Sequence, residues 1–138
     1  MPRWLLARMR YFALAVGTMA LGLAVHWRGG ALAPVVRDVL GDALWAAMVV
    51  WWIAAVAPGI RLPWRAAAAL AFCYAVEFGQ LFRLAALDAL RRTTAGHLVL
   101  GSGFDPRDFV SYAIGVLAAL FLEWSIERHR SDKLAGGG

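Results

Sequence analysis

Four apolar runs divide the chain. They cover residues 11–27, 42–57, 64–82 and 109–126, and each is close to the ~17–25 residues that carry a helix across a bilayer core. In hydrocarbon each run has to be a helix, because its backbone donors and acceptors find partners only within the segment. The second run is short unless Gly41 and Asp42 are counted into it, and it stops at Pro58-Gly59. The first follows Arg3, Arg8 and Arg10 and so has the outline of a signal peptide. Its length and the helix-end residues after it predict an uncleaved span instead. The connection 83–108 is long and mixed. Within it, 84–92 has helical spacing with Leu84, Leu87 and Arg91 to one side, which predicts a helix lying in the membrane interface. Gly101-Ser102-Gly103 then breaks the helix, and Asp105-Pro106 turns into the fourth run with Asp105 placed to cap it. Residues 131–138 are polar and Gly-rich and predict a disordered tail. The pattern therefore reads as all-α: one domain over 1–130, an integral membrane bundle of four transmembrane helices.

Composition strengthens this reading. The chain is 62% hydrophobic and 17% charged, against the ~45–50% and ~25% of soluble domains. A soluble protein of this size would be left with large apolar patches. The net charge of +5 comes almost wholly from arginine, with Lys133 the only lysine. The arginines sit between the apolar runs, so lipid headgroups are the expected partners and nucleic acid is not. Arg3, Arg8, Arg10, Arg61, Arg65, Arg128, Arg130 and Lys133 fall on the side of the N-terminus. Arg28, Arg37, Arg83, Arg91, Arg92 and Arg107 fall on the other. This excess predicts both termini in the cytoplasm. Trp27 and Trp45 on one side, and Trp64 and Trp124 on the other, suit interfacial belts.

The polar residues near and within the runs carry what chemistry there is. Glu77 lies six residues inside the end of the third run, roughly 9 Å deep at ~1.5 Å per residue. A carboxylate there must face protein or water and have a partner. Gln80, three residues on, shares its face. Asp42 opens the second run and Asp108 the fourth, with Ser111, Tyr112 and Gly115 following on one face. Each Asp taken alone reads as a charge capping a helix N-terminus; Glu77 is too deep for that. In an up-and-down bundle all these groups meet at one membrane face, with Asp88 and Arg91 of the long connection over them. With the termini inside, that face is extracytoplasmic. Ala67, Ala71, Ala75 and Gly79 form a small-residue stripe opposite Glu77, which would place the third helix centrally in the bundle. His26, His97 and His129 are far apart and Cys73 is alone, so no metal, cofactor or disulfide is expected. No enzyme signature is present.

The series GDALWAAMV (41–49), EFGQL (77–81), LDALR (87–91), HLVLGSGF (97–104) and RDFVSYAIG (107–115) resembles DUF2809, a bacterial family of small multi-pass membrane proteins of unknown function. The acid in the second helix, the E-x-x-Q of the third and the Asp leading the fourth are also similar to the broader VanZ-like group. Ala43 and Trp45 stand where that group has Lys and His, and Tyr112 stands near its Asn. The resemblance implies a multi-pass protein of the bacterial inner membrane. The expected function is binding of a lipid headgroup or polar envelope ligand in a pocket lined by Asp42, Glu77, Gln80, Asp88, Arg91, Asp108 and Tyr112. On this reading Glu77→Ala abolishes binding and leaves the bundle folded. The alternatives are an accessory subunit packing on a larger membrane protein through the alanine stripe, and a proton or cation path using Glu77.

Overall fold

The computed structural model describes residues 1–82, 85–100 and 103–135. Among the described residues six α-helices follow one another: α1 Arg3–Arg28, α2 Pro34–Val56, α3 Leu62–Gly79, α4 Ala85–Arg91, α5 Thr94–Leu100 and α6 Asp108–Ala135. A short 3₁₀ turn, Gly29–Ala31, joins α1 to α2. The described residues contain no strand. Among the described residues, three stretches are long and apolar enough to cross a membrane: Arg3–Ala31, Pro34–Val56 and Asp108–Lys133. α3 is shorter and carries Arg65 and Glu77 among its apolar residues.

The helix ends differ from the apolar runs in ways that matter. α1 begins eight residues before the first run, and α2 begins at Pro34, eight before Asp42. Proline suits the first turn of a helix, where its missing N–H is not needed. Asp42 is therefore two turns inside α2, and capping does not explain it. α6 continues to Ala135, because nothing from Ser131 to Ala135 breaks a helix. The tail expected to be disordered from 131 is thus helical over its first five residues; 136–138 lie outside the described residues. The single interfacial helix expected over 84–92 is instead a pair, α4 and α5. Thr93 stops one and starts the other, its Oγ1 accepting the Gly96 N–H at 3.0 Å as an N-cap. The break expected at Gly101-Ser102-Gly103 falls on residues of which 101 and 102 are outside the described set.

α2 is the central element, packed against α1, α3 and α6. The core gathers Tyr11 and Ala15 of α1, Ala46, Val50, Trp51 and Ala54 of α2, Ala69 and Cys73 of α3, and Tyr112, Val116 and Ala119 of α6. α3, expected at the centre, lies to one side. Its small-residue stripe faces outward, with Ala67, Ala71 and Ala75 exposed and the opposite face, Arg65, Ala69, Cys73 and Glu77, buried. The reason is electrostatic: the two charged residues of α3 lie on the face away from the stripe, and it is that face that must be enclosed.

α6 and α2 approach closely at Gly115. A Cβ built there would fall 2.0 Å from the carbonyl oxygen of Ala43 and 2.7 Å from its carbon. Only glycine lets α6 lie directly on the α2 backbone, and that contact sets Asp42 beside the first turns of α6. Gly115→Ala is expected to force the two helices apart at a cost of about 1–3 kcal/mol, read as a lower midpoint in denaturing-detergent unfolding.

Candidate functional site

Polar groups are buried at both ends of the bundle. At the end holding the N-terminus of α1, Arg65 donates to Glu123 at 2.6 and 2.9 Å, and both side chains are 3% exposed. The Tyr11 hydroxyl also donates to Glu123. A second Arg65 nitrogen donates to the Ile60 carbonyl at 3.0 Å, and its guanidinium lies 5.1 Å from the Tyr11 ring centre. This cluster ties α1, α3 and α6 together, with Arg65 Nε the one nitrogen of that guanidinium left without a partner.

The opposite end is different. Glu77, in the last turn of α3, is fully buried. Its Oε1 accepts the backbone N–H of Asp105 at 2.8 Å, and its Oε2 accepts the Tyr112 hydroxyl at 3.0 Å and the Gln80 amide nitrogen at 3.3 Å. One carboxylate thus fixes the loop before α6, the first turns of α6 and the end of α3. Aromatic contacts hold the same junction. The Phe109 ring lies 4.7 Å from Tyr74 and 5.4 Å from Phe78, and Phe104 stacks on Phe78. Asp105 does not cap α6 directly; its carboxylate accepts the Arg107 N–H at 2.9 Å and closes a turn just ahead of the helix.

In front of this junction is a cavity of about 270 Å³. α1 contributes His26; α2 contributes Asp38, Gly41, Asp42 and Trp45; Gln80 follows α3; His97 comes from α5. Gly103 and Asp105 precede α6, which adds Asp108 and Tyr112. Asp42 of α2 and Asp108 of α6 line the same cavity. Two carboxylates so placed need a positive charge, a proton or donor groups between them.

Gln80 gives the sign of the missing group. It is 6% exposed, and its amide nitrogen is committed to the Glu77 carboxylate, which accepts only. Its Oε1 is left without a partner, and Gln80 lines the cavity. A buried acceptor without a donor is rare and costs about 1–3 kcal/mol. With the carboxyls of Asp38, Asp42, Asp105 and Asp108, the cavity presents mainly acceptors, beside His26, His97 and Trp45, and among the described residues its lining contains no Lys or Arg. Among the described residues no group of three or more His, Cys, Asp or Glu is arranged to hold a metal ion. What the cavity can take chemically is an organic group rich in N–H or O–H donors.

Of the seven residues singled out from the sequence, Asp42, Gln80, Asp108 and Tyr112 line this cavity, and Glu77 stands behind it with its acceptor positions taken by protein donors. Asp88 and Arg91 are not in the lining. They pair with each other at 3.0 Å, and Arg91 reaches the Gly79 carbonyl at 3.5 Å, tying α4 to the end of α3. Asp38, Asp105, His97 and Trp45 join the lining without having been singled out. Asp38 is one turn before Asp42, a relation that exists only because the helix starts at Pro34.

The sequence model of a family described as protein of unknown function, DUF2809, matches residues 31–116. The match holds every lining residue of the cavity except His26, while Tyr11 and Glu123 of the opposite cluster lie outside it. No solved structure matches the chain. The match takes in well over half the sequence, and the chain belongs to the DUF2809 family.

Proposed function

We propose that this is a four-span protein of the bacterial inner membrane that binds an ammonium-bearing ligand in the acidic cavity, at the extracytoplasmic leaflet. The observation that carries the reading is a cavity lined by Asp38, Asp42, Asp105 and Asp108, with the unpartnered acceptor of Gln80 in its wall. A primary ammonium has three donors and a positive charge, and meets Gln80, Asp42 and Asp108 together. Among the described residues the lining offers an anionic group no Lys or Arg, only His26 and His97, and Arg91 is held by Asp88 and Gly79. The four-span topology is supported by the length of α3, 18 residues, or about 27 Å, and by the burial of both its charges against the other helices. A path for protons or cations through the bundle is disfavoured, since the buried residues between the two polar ends, among them Ala69, Cys73, Val116 and Ala119, are apolar.

The accessory-subunit reading draws on one observation, the outward-facing Ala67, Ala71 and Ala75. Co-purification of a stoichiometric membrane partner, lost on Ala71→Leu, would favour it.

The test of the amine site is binding of ethylamine by saturation-transfer NMR to the protein in phosphatidylcholine nanodiscs. Asp42→Asn and Asp108→Asn keep the shape and remove one charge each, and should weaken binding by about tenfold or more, the equivalent of ~1.4 kcal/mol. Gln80→Leu should do the same by removing the acceptor. Binding unchanged in all three variants would reject the assignment.

A further inference from the structure

The acidic cavity has an apolar neighbour. Gly41 and Trp45, which line the acidic cavity, also line a second cavity of about 310 Å³ between α1 and α2. This one is apolar: its other walls include Met19 and Gly22 of α1 and Leu44 and Met48 of α2, with Ala95 of α5 lying over it. From Gly41 to Met48 it follows α2 for two turns, roughly 10 Å, running from the polar end of the bundle toward its middle. Gly22 keeps it open. A Cβ there would meet nothing closer than Leu44 Cβ at 3.9 Å, so the space is present without any helix contact requiring it.

A carboxyl-walled chamber joined through shared residues to an apolar groove of this depth is the shape of an amphiphile. We infer that the ligand carries a hydrocarbon chain, and that this chain lies in the groove between α1 and α2 while its ammonium head occupies the acidic cavity. The inference rests on the amine-binding reading above and adds the class of ligand: a long-chain amine or amino-headed lipid taken from the bilayer rather than a small amine taken from water. Trp45 sits at the junction and separates the two environments. The groove is apolar where the chain would lie, and each methylene moved there from water adds to affinity.

The experiment follows displacement of ethylamine by dodecylamine, with the protein in phosphatidylcholine nanodiscs. Wild type is compared with Gly22→Leu, which fills the groove, and with Ala95→Leu, which narrows it from a short helix outside the bundle. Dodecylamine should displace ethylamine from wild type at about tenfold lower concentration than from either variant, a difference expected from a chain losing part of its buried length. Ethylamine itself should bind all three alike. Equal displacement from all three would overturn the groove assignment and leave the amine cavity standing. Absence of ethylamine binding to wild type would overturn both.

Discussion

Glu123→Ala is expected to destabilise the folded bundle by about 3–5 kcal/mol, the usual cost of removing one partner from a buried ion pair. The substitution leaves the Arg65 guanidinium, 3% exposed, without its carboxylate and the Tyr11 hydroxyl without its acceptor. The Ile60 carbonyl and the Tyr11 ring remain near Arg65, and neither carries a full negative charge. The loss belongs to the uncompensated cation rather than to any net strength of the pair. The double replacement Arg65→Met with Glu123→Leu should therefore recover most of the stability. Denaturing-detergent titration of the single and double variants separates the two cases. A double variant as unstable as Glu123→Ala would mean that the ion pair itself, and not the orphaned charge, holds α1, α3 and α6 together.

The second large effect is at Glu77. Its carboxylate accepts from the Asp105 backbone, from Tyr112 and from Gln80. Glu77→Ala strands two buried donors and the half-buried Asp105 N–H at about 1–3 kcal/mol each, and because the three share one acceptor their costs are not simply additive. A total of roughly 3–5 kcal/mol is expected. This revises the expectation drawn from sequence, that Glu77→Ala abolishes binding and spares the fold. Both properties should fall together, since the same carboxylate orients Gln80 and seats the start of α6. Glu77→Gln keeps one acceptor and should lie between wild type and Glu77→Ala in unfolding midpoint. A fully stable Glu77→Ala variant would show that the junction is held by the aromatic contacts of Phe78, Phe104 and Phe109 instead.

Much of the molecule is legible in the apolar pattern, for a physical reason. A helix that must satisfy its backbone in hydrocarbon announces itself by a long apolar run, and an up-and-down chain then fixes which helix ends meet. That was enough to bring Asp42, Glu77, Gln80, Asp108 and Tyr112 to one end of the bundle. The pattern gave less at the termini of the helices, because amphipathic turns outside the apolar core continue the helix without adding hydrophobicity. α2 gains two such turns at Pro34, and with them Asp38. The second polar cluster escaped attention although Arg65 and Glu123 lie inside apolar runs just as Glu77 does. The rule applied to Glu77, that a charge in such a run needs a partner, would have paired them. The direction of the amide of Gln80 was beyond reach, since it depends on a hydrogen bond between side chains. So was the junction of the acidic cavity with its neighbouring groove, which depends on the placement of Ala95 over α1 and α2.

The central claim is that the cavity at this end of the bundle selects positive, donor-rich heads. It is tested most directly by thermal unfolding in phosphatidylcholine nanodiscs with hexylamine, hexanol or hexanoate, three ligands that share a chain and differ in head. Hexylamine is expected to raise the unfolding temperature, hexanol to raise it less and hexanoate not to raise it, with the hexylamine effect lost in Asp42→Asn. Stabilisation by hexanoate equal to or greater than that by hexylamine would contradict the claim.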